Sequence, residues 1–147
     1  EMRLFRIGCA VRAWADVHEA VTSASLLTPA DVIVAFTYSG ETREVFEAVE
    51  VARSRGATAI IVTHSPGSSV SLLADINLVA TDAPTSFRDG GFASRHSSLL
   101  VVDCLYVRVA QITYDRSRRS LELTSDVQPR LSVHGRRRRR PDRGGST

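Results

Sequence analysis

The sequence predicts an α/β fold of three layers, a parallel sheet flanked by helices on its faces. Three observations predict it. Short apolar runs rich in β-branched residues recur at Asp31–Phe36, Ala57–Thr63 and Asp75–Ala80. Helical patterns separate them, a long one over Arg43–Arg55 and a short one over Ser68–Ala74. The first two runs each end in a hydroxyl-rich turn. Strands alternating with helices in this order pair in parallel, and such a sheet presents its ligand at the carboxyl ends of the strands.

Taken in order, Met2–Ile7 reads as a short strand ending at Gly8. Ala10–Leu27 is mixed, with a helix expected around Asp16–Ala24. Thr28-Pro29-Ala30-Asp31 marks the turn into the first strong strand, because Pro29 biases its predecessor to extended geometry. That strand, Asp31–Phe36, is expected to be buried. In the following helix Val45, Val49 and Ala52 share one face with Phe46 beside them, and Gly56 stands where a glycine cap belongs. Arg53 and Arg55 complement the negative end of its dipole. Arg43–Glu47 and Glu50–Arg53 are expected to pair on the solvent side. After the strand Ala57–Thr63, His64-Ser65-Pro66-Gly67 is a loop. Thr81–Ala93 is a polar loop, and Ser94–Ile112 a long helix capped by Ser94. Leu99, Leu100, Val102, Leu105, Val107 and Val109 occupy more than one face of it, which predicts burial on two sides and a homo-oligomer built through this helix. Beyond Tyr114 the pattern dissolves. Leu121-Glu122-Leu123 can pair as a strand, and the run Arg136–Arg140 is expected to be disordered.

The 147 residues suit one domain with a proper core, and the 43% hydrophobic content is that of an ordinary soluble protein. No apolar run approaches the length of a membrane span, and the N-terminus does not read as a secretory signal, so the cytoplasm is the expected compartment. All 19 basic residues are arginine. Residues 1–112 carry nine arginines against twelve acids, a net of −3, whereas 113–147 carry ten against four, a net of +6. Two parts follow, a folded domain over 1–112 and a basic tail over 113–147. Cys9 and Cys104, far apart in apolar surroundings, read as buried core residues rather than a disulfide. Four histidines at no ligand spacing give no zinc pattern, and no metal or cofactor is expected.

The turn Thr37-Tyr38-Ser39-Gly40-Glu41-Thr42 carries the chemistry. Three hydroxyls and one glycine meet the start of a helix, whose unpaired N–H groups and dipole favour a phosphate. Gly40 lets backbone approach a ligand closely. The loop has no lysine and is not a nucleotide-type P-loop. Ser39 or Thr42 can alternatively serve as an ordinary helix cap, and Gly40 as a turn glycine.

Thr37-Tyr38-Ser39-Gly40-Glu41-Thr42-Arg43-Glu44 resembles the S-x-S-G-x-T-x-E signature of SIS (sugar isomerase) phosphosugar-binding domains. Gly56-Ala57, Ile60-Ile61-Val62-Thr63 and Ala74-Asp75 follow in the family's order. Arg6-Ile7-Gly8, Ser94-Arg95 and Asp103-Cys104-Leu105-Tyr106 look more particularly like the effector domain of RpiR-type transcriptional regulators. The resemblance covers about residues 3–112 and implies a flavodoxin-like arrangement. It implies that Thr37, Ser39 and Thr42 grip the phosphate, with Gly40 permitting close approach and Tyr38 beside them. Thr63 and Ser65 are expected on the sugar side, while Ser68 and Ser69 can equally cap the short helix. Thr37 replaces the usual serine, keeping the hydroxyl and adding a methyl. The family's opening helix, first strand and G-x-G-x-S loop have no counterpart here, so the first strand is expected to be missing; nothing resembles the regulators' helix-turn-helix.

The leading reading is a phosphosugar sensor of a transcriptional regulator that contacts DNA only through a helix-turn-helix domain absent from this chain. The alternative is an aldose–ketose phosphosugar isomerase, which needs a general base. Glu41 is the candidate, with Glu44 also beside the site and His64 and His96 able to approach it; Glu41 and Glu44 equally suit the first turn of a helix. The arginine run can bind nucleic acid by counterion release, against a plainer reading as a solvated tail.

Overall fold

The computed structural model describes residues 1–81 and 90–125, and the side chains of all of these except 90–94. They divide into two compact units, one spanning Ala13–Leu105 and the other joining Glu1–Arg12 to the chain from Tyr106 onward.

In the Ala13–Leu105 unit the expected α/β alternation is present. Helix α2 (Val17–Ala24) begins at Asp16, whose carboxylate accepts from the backbone N–H groups of His18 and Glu19 at 2.9 and 3.1 Å. Strand β1 (Val32–Thr37), helix α3 (Arg43–Ser54), strand β2 (Thr58–Thr63), a 3₁₀ turn (Ser71–Leu73) and strand β3 (Ile76–Val79) follow. The described strands form one parallel sheet in the order β1-β2-β3. Register pairs Thr37 with Thr63 and Thr63 with Val79, so all three carboxyl ends lie on one edge.

Periodicity decides which side of the sheet is closed. Ala59 and Ile61 point to α3, where fully buried Val49 and Val70 meet them, with Ile33, Ala35, Val45 and Phe46 packed around. The alternate residues of β1 point away. Val32, Val34 and Phe36 remain 53%, 40% and 44% exposed, which corrects the expectation of a wholly buried strand. β1 pairs only with β2 among the described strands, and an apolar run does not tell a covered face from an open one.

Helix α3 ends at Arg55, and Gly56 follows at φ +84°, the left-handed glycine expected there. A Cβ on Gly56 would sit 3.0 Å from Pro29 Cγ. Gly56→Ala is therefore expected to cost about 1–2 kcal/mol, read as a lowered melting temperature; an unchanged melt would contradict the cap. Arg43 Nε donates to Glu47 at 2.8 Å as expected. Arg53 reaches Asp75 at 3.5 Å rather than Glu50, while the other Asp75 oxygen accepts from Ala59 N at 2.7 Å and ties the start of β3 to β2.

Three expectations fail at the ends of the chain. Met2–Arg6 is a helix, α1, not a strand; completely buried Ile7 caps it, and Gly8 follows at φ +84°. Helix α4 runs Gly90–Ile112, starting four residues before Ser94. Tyr114–Ser125 is a further helix, α5, rather than an unpatterned tail with a strand at Leu121–Leu123. Thr113 Oγ1 donates to Val109 O at 2.7 Å at the α4–α5 junction, and Arg118 pairs with Glu122 at 2.9 Å along α5. In this unit α5 packs on α1, with Arg116 Nη2 3.9 Å from Cys9 Sγ. Both cysteines are free; Cys9 is half-buried and Cys104 exposed, so neither is the core residue expected. The polar loop at 82–89 and the arginine run at 136–140 lie outside the described residues.

Candidate phosphate-binding site

Thr37 closes β1 and Thr63 closes β2, opposite each other and 8% and 0% exposed. From Thr37 the chain turns through Gly40, at φ +70°, into α3. Gly40 N donates to Thr37 Oγ1 at 3.1 Å, and Glu41 N donates to Ser39 Oγ at 3.2 Å. Thr37 and Thr42 hydroxyls stand 3.4 Å apart. Thr42 is the N-cap residue of α3, yet its side chain makes no cap hydrogen bond. A plain cap would spend that hydroxyl on the helix. Here it pairs with the Thr37 hydroxyl instead.

The second turn is bonded to the first. Thr63 Oγ1 and His64 N each donate to Tyr38 O at 3.3 Å, and Val70 N donates to Gly40 O at 2.9 Å. Ser65 N donates to Thr63 Oγ1 at 3.1 Å. Glu41 accepts from Ser69 twice, from the amide at 2.9 Å and the hydroxyl at 2.6 Å. These bonds, the hydroxyl's first, hold the Glu41 carboxyl below the usual glutamate range. Ser68 is 9% exposed, and its Oγ has no hydrogen-bond partner among the described residues. It lies over Gly40, where any Cβ would collide with it.

Thr37, Tyr38, Ser39, Gly40, Thr42, Thr63 and Ser65 are thus gathered at one edge of the sheet, as the sequence predicts. The Tyr38 ring is 57% exposed and lies 4.7 Å from the His64 ring, tilted by 36°. His64 Nε2 is 3.1 Å from Ser97 Oγ on α4. Glu44 sits exposed in the first turn of α3, and His96 is exposed on α4. Ser68 and the Glu41–Ser69 link are what the sequence reading missed, because their partners are 28 residues apart. Among the described residues no three or more His, Cys, Asp or Glu gather as for a metal ion, and no helix is long and apolar enough to cross a membrane.

A family model described as the SIS domain matches residues 2–108. The chain is 40% identical over 126 residues to an uncharacterized HTH-type transcriptional regulator of Caldanaerobacter subterraneus, covering 86% of this chain and 45% of that protein. It is 33% identical over 125 residues to the HTH-type transcriptional regulator RpiR of Escherichia coli K12, covering 85% and 42%. The chain thus spans less than half the length of these curated relatives. Among solved structures, the Vibrio vulnificus NanR protein complexed with ManNAc-6P superposes with a TM-score of 0.79 at 32% identity, covering 90% of this chain and 50% of that one. The sugar isomerase domain of an RpiR transcription factor from Sphaerobacter thermophilus shares the fold, with a TM-score of 0.69 at 20% identity over 85% and 68%. From the signature turn, the parallel sheet behind it and the span of the match, the chain belongs to the SIS domain family, and its relatives are RpiR-type transcriptional regulators.

Proposed function

We propose that this domain binds a phosphorylated sugar at the 37–42 turn and serves as the effector sensor of an RpiR-type transcriptional regulator. The observation that carries it is the Thr42 hydroxyl at the N-terminus of α3, which makes no cap bond and pairs with the Thr37 hydroxyl instead, in the turn that also carries Ser39. Ser39 accepts from Glu41 N, which leaves its O–H proton to donate outward; in the Thr37–Thr42 pair one hydroxyl donates to the other and the second keeps its proton for a ligand. A phosphate dianion there would take hydroxyl protons and first-turn N–H groups together. Thr63, fully buried and bonded through its hydroxyl to Tyr38 O and Ser65 N, backs the same edge, and half-buried Ser65 would meet the sugar. That NanR was solved with a phosphosugar supports this ligand class.

Glu41 weighs against the isomerase. Both its oxygens are engaged by Ser69 and its carboxyl is held below its ordinary range, away from the near-neutral value a general base needs. Sensing requires only differential affinity for two conformations. In the proposed regulator, DNA is read by a helix-turn-helix segment outside these residues, in the cytoplasm. Leu99, Leu100, Val107 and Ile112 are each at least 50% exposed on α4, which supports a homo-oligomer formed through this helix.

A thermal melt against a panel of phosphosugars, N-acetylmannosamine 6-phosphate among them, tests the reading, with the unphosphorylated sugars as controls. Ligand at a hundred times its Kd adds about 2.7 kcal/mol, a rise on the order of 5–10 °C for a domain of this size. A rise with one phosphosugar and none with its parent sugar is the expected result. A cooperative melt indifferent to the whole panel would refute the site.

A further inference from the structure

We propose that Glu41 is a positioning residue, a strut whose carboxylate holds the Ser68–Ser69 turn against Gly40 and so keeps the phosphate-binding turn preformed. The inference rests on the phosphosugar reading above and deepens it. Glu41 belongs to the turn at the end of β1, and Ser69 to the segment that follows β2. The carboxylate spans them with two bonds, Oε1 to the Ser69 amide at 2.9 Å and Oε2 to the Ser69 hydroxyl at 2.6 Å. A neighbouring backbone bond, Val70 N to Gly40 O at 2.9 Å, runs parallel to it. Between them Ser68 is pressed over the bare Cα of Gly40, its hydroxyl without a hydrogen-bond partner among the described residues.

The placement makes sense of the residue type. Beside a site for a phosphate dianion, a carboxylate repels the ligand unless its charge is spent elsewhere. Both Glu41 oxygens are turned to Ser69, and these bonds, the hydroxyl's first, favour the ionised form and hold the carboxyl below the usual glutamate range. A glutamate in this arrangement keeps its negative end on the second turn, leaving the hydroxyls of Thr37, Ser39 and Thr42 to face the ligand. It acts through Ser69 and the shape of the turn, not by touching the sugar. Fixing two loops before the ligand arrives removes an ordering cost from binding.

Glutamine can accept from the Ser69 amide and donate to the Ser69 hydroxyl, whereas alanine can do neither. In the full 147-residue chain, Glu41→Ala is expected to weaken phosphosugar binding roughly tenfold, and Glu41→Gln to restore it to within about threefold. Hydrogen exchange at the Ser69 amide supplies a second readout, with protection lost in the alanine variant and kept in the glutamine variant. A cooperative melt of each variant establishes that it is folded. Ser69→Ala, which keeps the amide bond and drops the hydroxyl bond, is expected to fall between the two. Wild-type affinity in Glu41→Ala would overturn the strut while leaving the site standing. Equal losses in the alanine and glutamine variants would overturn it too, pointing to charge rather than bonding. A wild-type chain that binds no phosphosugar would overturn the underlying reading, whatever the Ser69 amide does.

Discussion

The Ser39→Ala, Thr42→Ala double variant is expected to lose phosphosugar affinity by roughly 10²–10⁴-fold, because two hydrogen bonds to a charged group at about 1.5–3 kcal/mol each disappear together. Neither hydroxyl is spent on the helix. Thr42 makes no cap bond, and Ser39 only accepts from Glu41 N, a bond at 3.2 Å in an exposed turn. Fold stability is therefore expected to fall by much less than binding does. Losing the Ser39 acceptor and the long Thr42–Thr37 hydroxyl bond costs on the order of 1 kcal/mol. Calorimetric titration measures the affinity, and a ligand-free melt measures the fold. Were the double variant to bind as the wild type does, the phosphate would have to sit elsewhere. Were it to lose stability as severely as affinity, the hydroxyls would be structural caps after all.

How much of this could be read from the residues depends on how local the determining contacts are. The strands β1, β2 and β3 and the helix α3 announce themselves because each is a run long enough to display its own period, and Gly56 and Thr42 mark α3's ends. Thr37, Ser39, Gly40 and Thr42 lie within six residues, so their meeting follows from one turn. Met2–Arg6 does not declare itself a helix, because Leu4, Phe5 and Ile7 satisfy neither period decisively in so short a stretch. What selects the helix is tertiary: Ile7 is buried and α5 lies against it. α5 itself was invisible because YDRSRRSLELTS has few apolar residues to set a period; its order shows instead in the Arg118–Glu122 pair and the Thr113 and Ser117 hydroxyls, 2.9 Å apart. Nor does an apolar run say which of its faces is covered, hence the open Val32, Val34 and Phe36. Ser65, Ser68 and Ser69 look alike on paper. Only the fold gives Ser69 to Glu41 and lays Ser68 over Gly40.

That last contact makes Gly40→Ala the most informative single substitution. Gly40 stands at φ +70°, where an L side chain costs about 1–2 kcal/mol. It also has no room: a Cβ would run into Ser68 Oγ and Cβ, with Thr63 Oγ1 at 3.5 Å behind them. Ser68 is held by its own segment, its amide donating to Ser65 O at 3.3 Å and its carbonyl accepting from Ser71 Oγ at 2.8 Å. Relief must therefore come from the two turns moving apart, and forcing extra volume into such a contact typically costs about 1–3 kcal/mol more. Parting the turns strains the Val70–Gly40 and Glu41–Ser69 bonds and displaces the amides that a phosphate would use. The expected result is a melt lowered by about 2–5 kcal/mol of stability, with phosphosugar affinity reduced by more than about a hundredfold. Gly67→Ala is the control. Gly67 has the same backbone sign, φ +87°, but nothing within 4 Å of the added carbon. It carries the conformational cost without the collision, so it is expected to lose about 1–2 kcal/mol of stability and keep its affinity. Should both variants bind equally well, the close approach at Gly40 plays no part in holding the ligand. If instead only Gly40→Ala fails, closeness of the two turns is what the glycine secures.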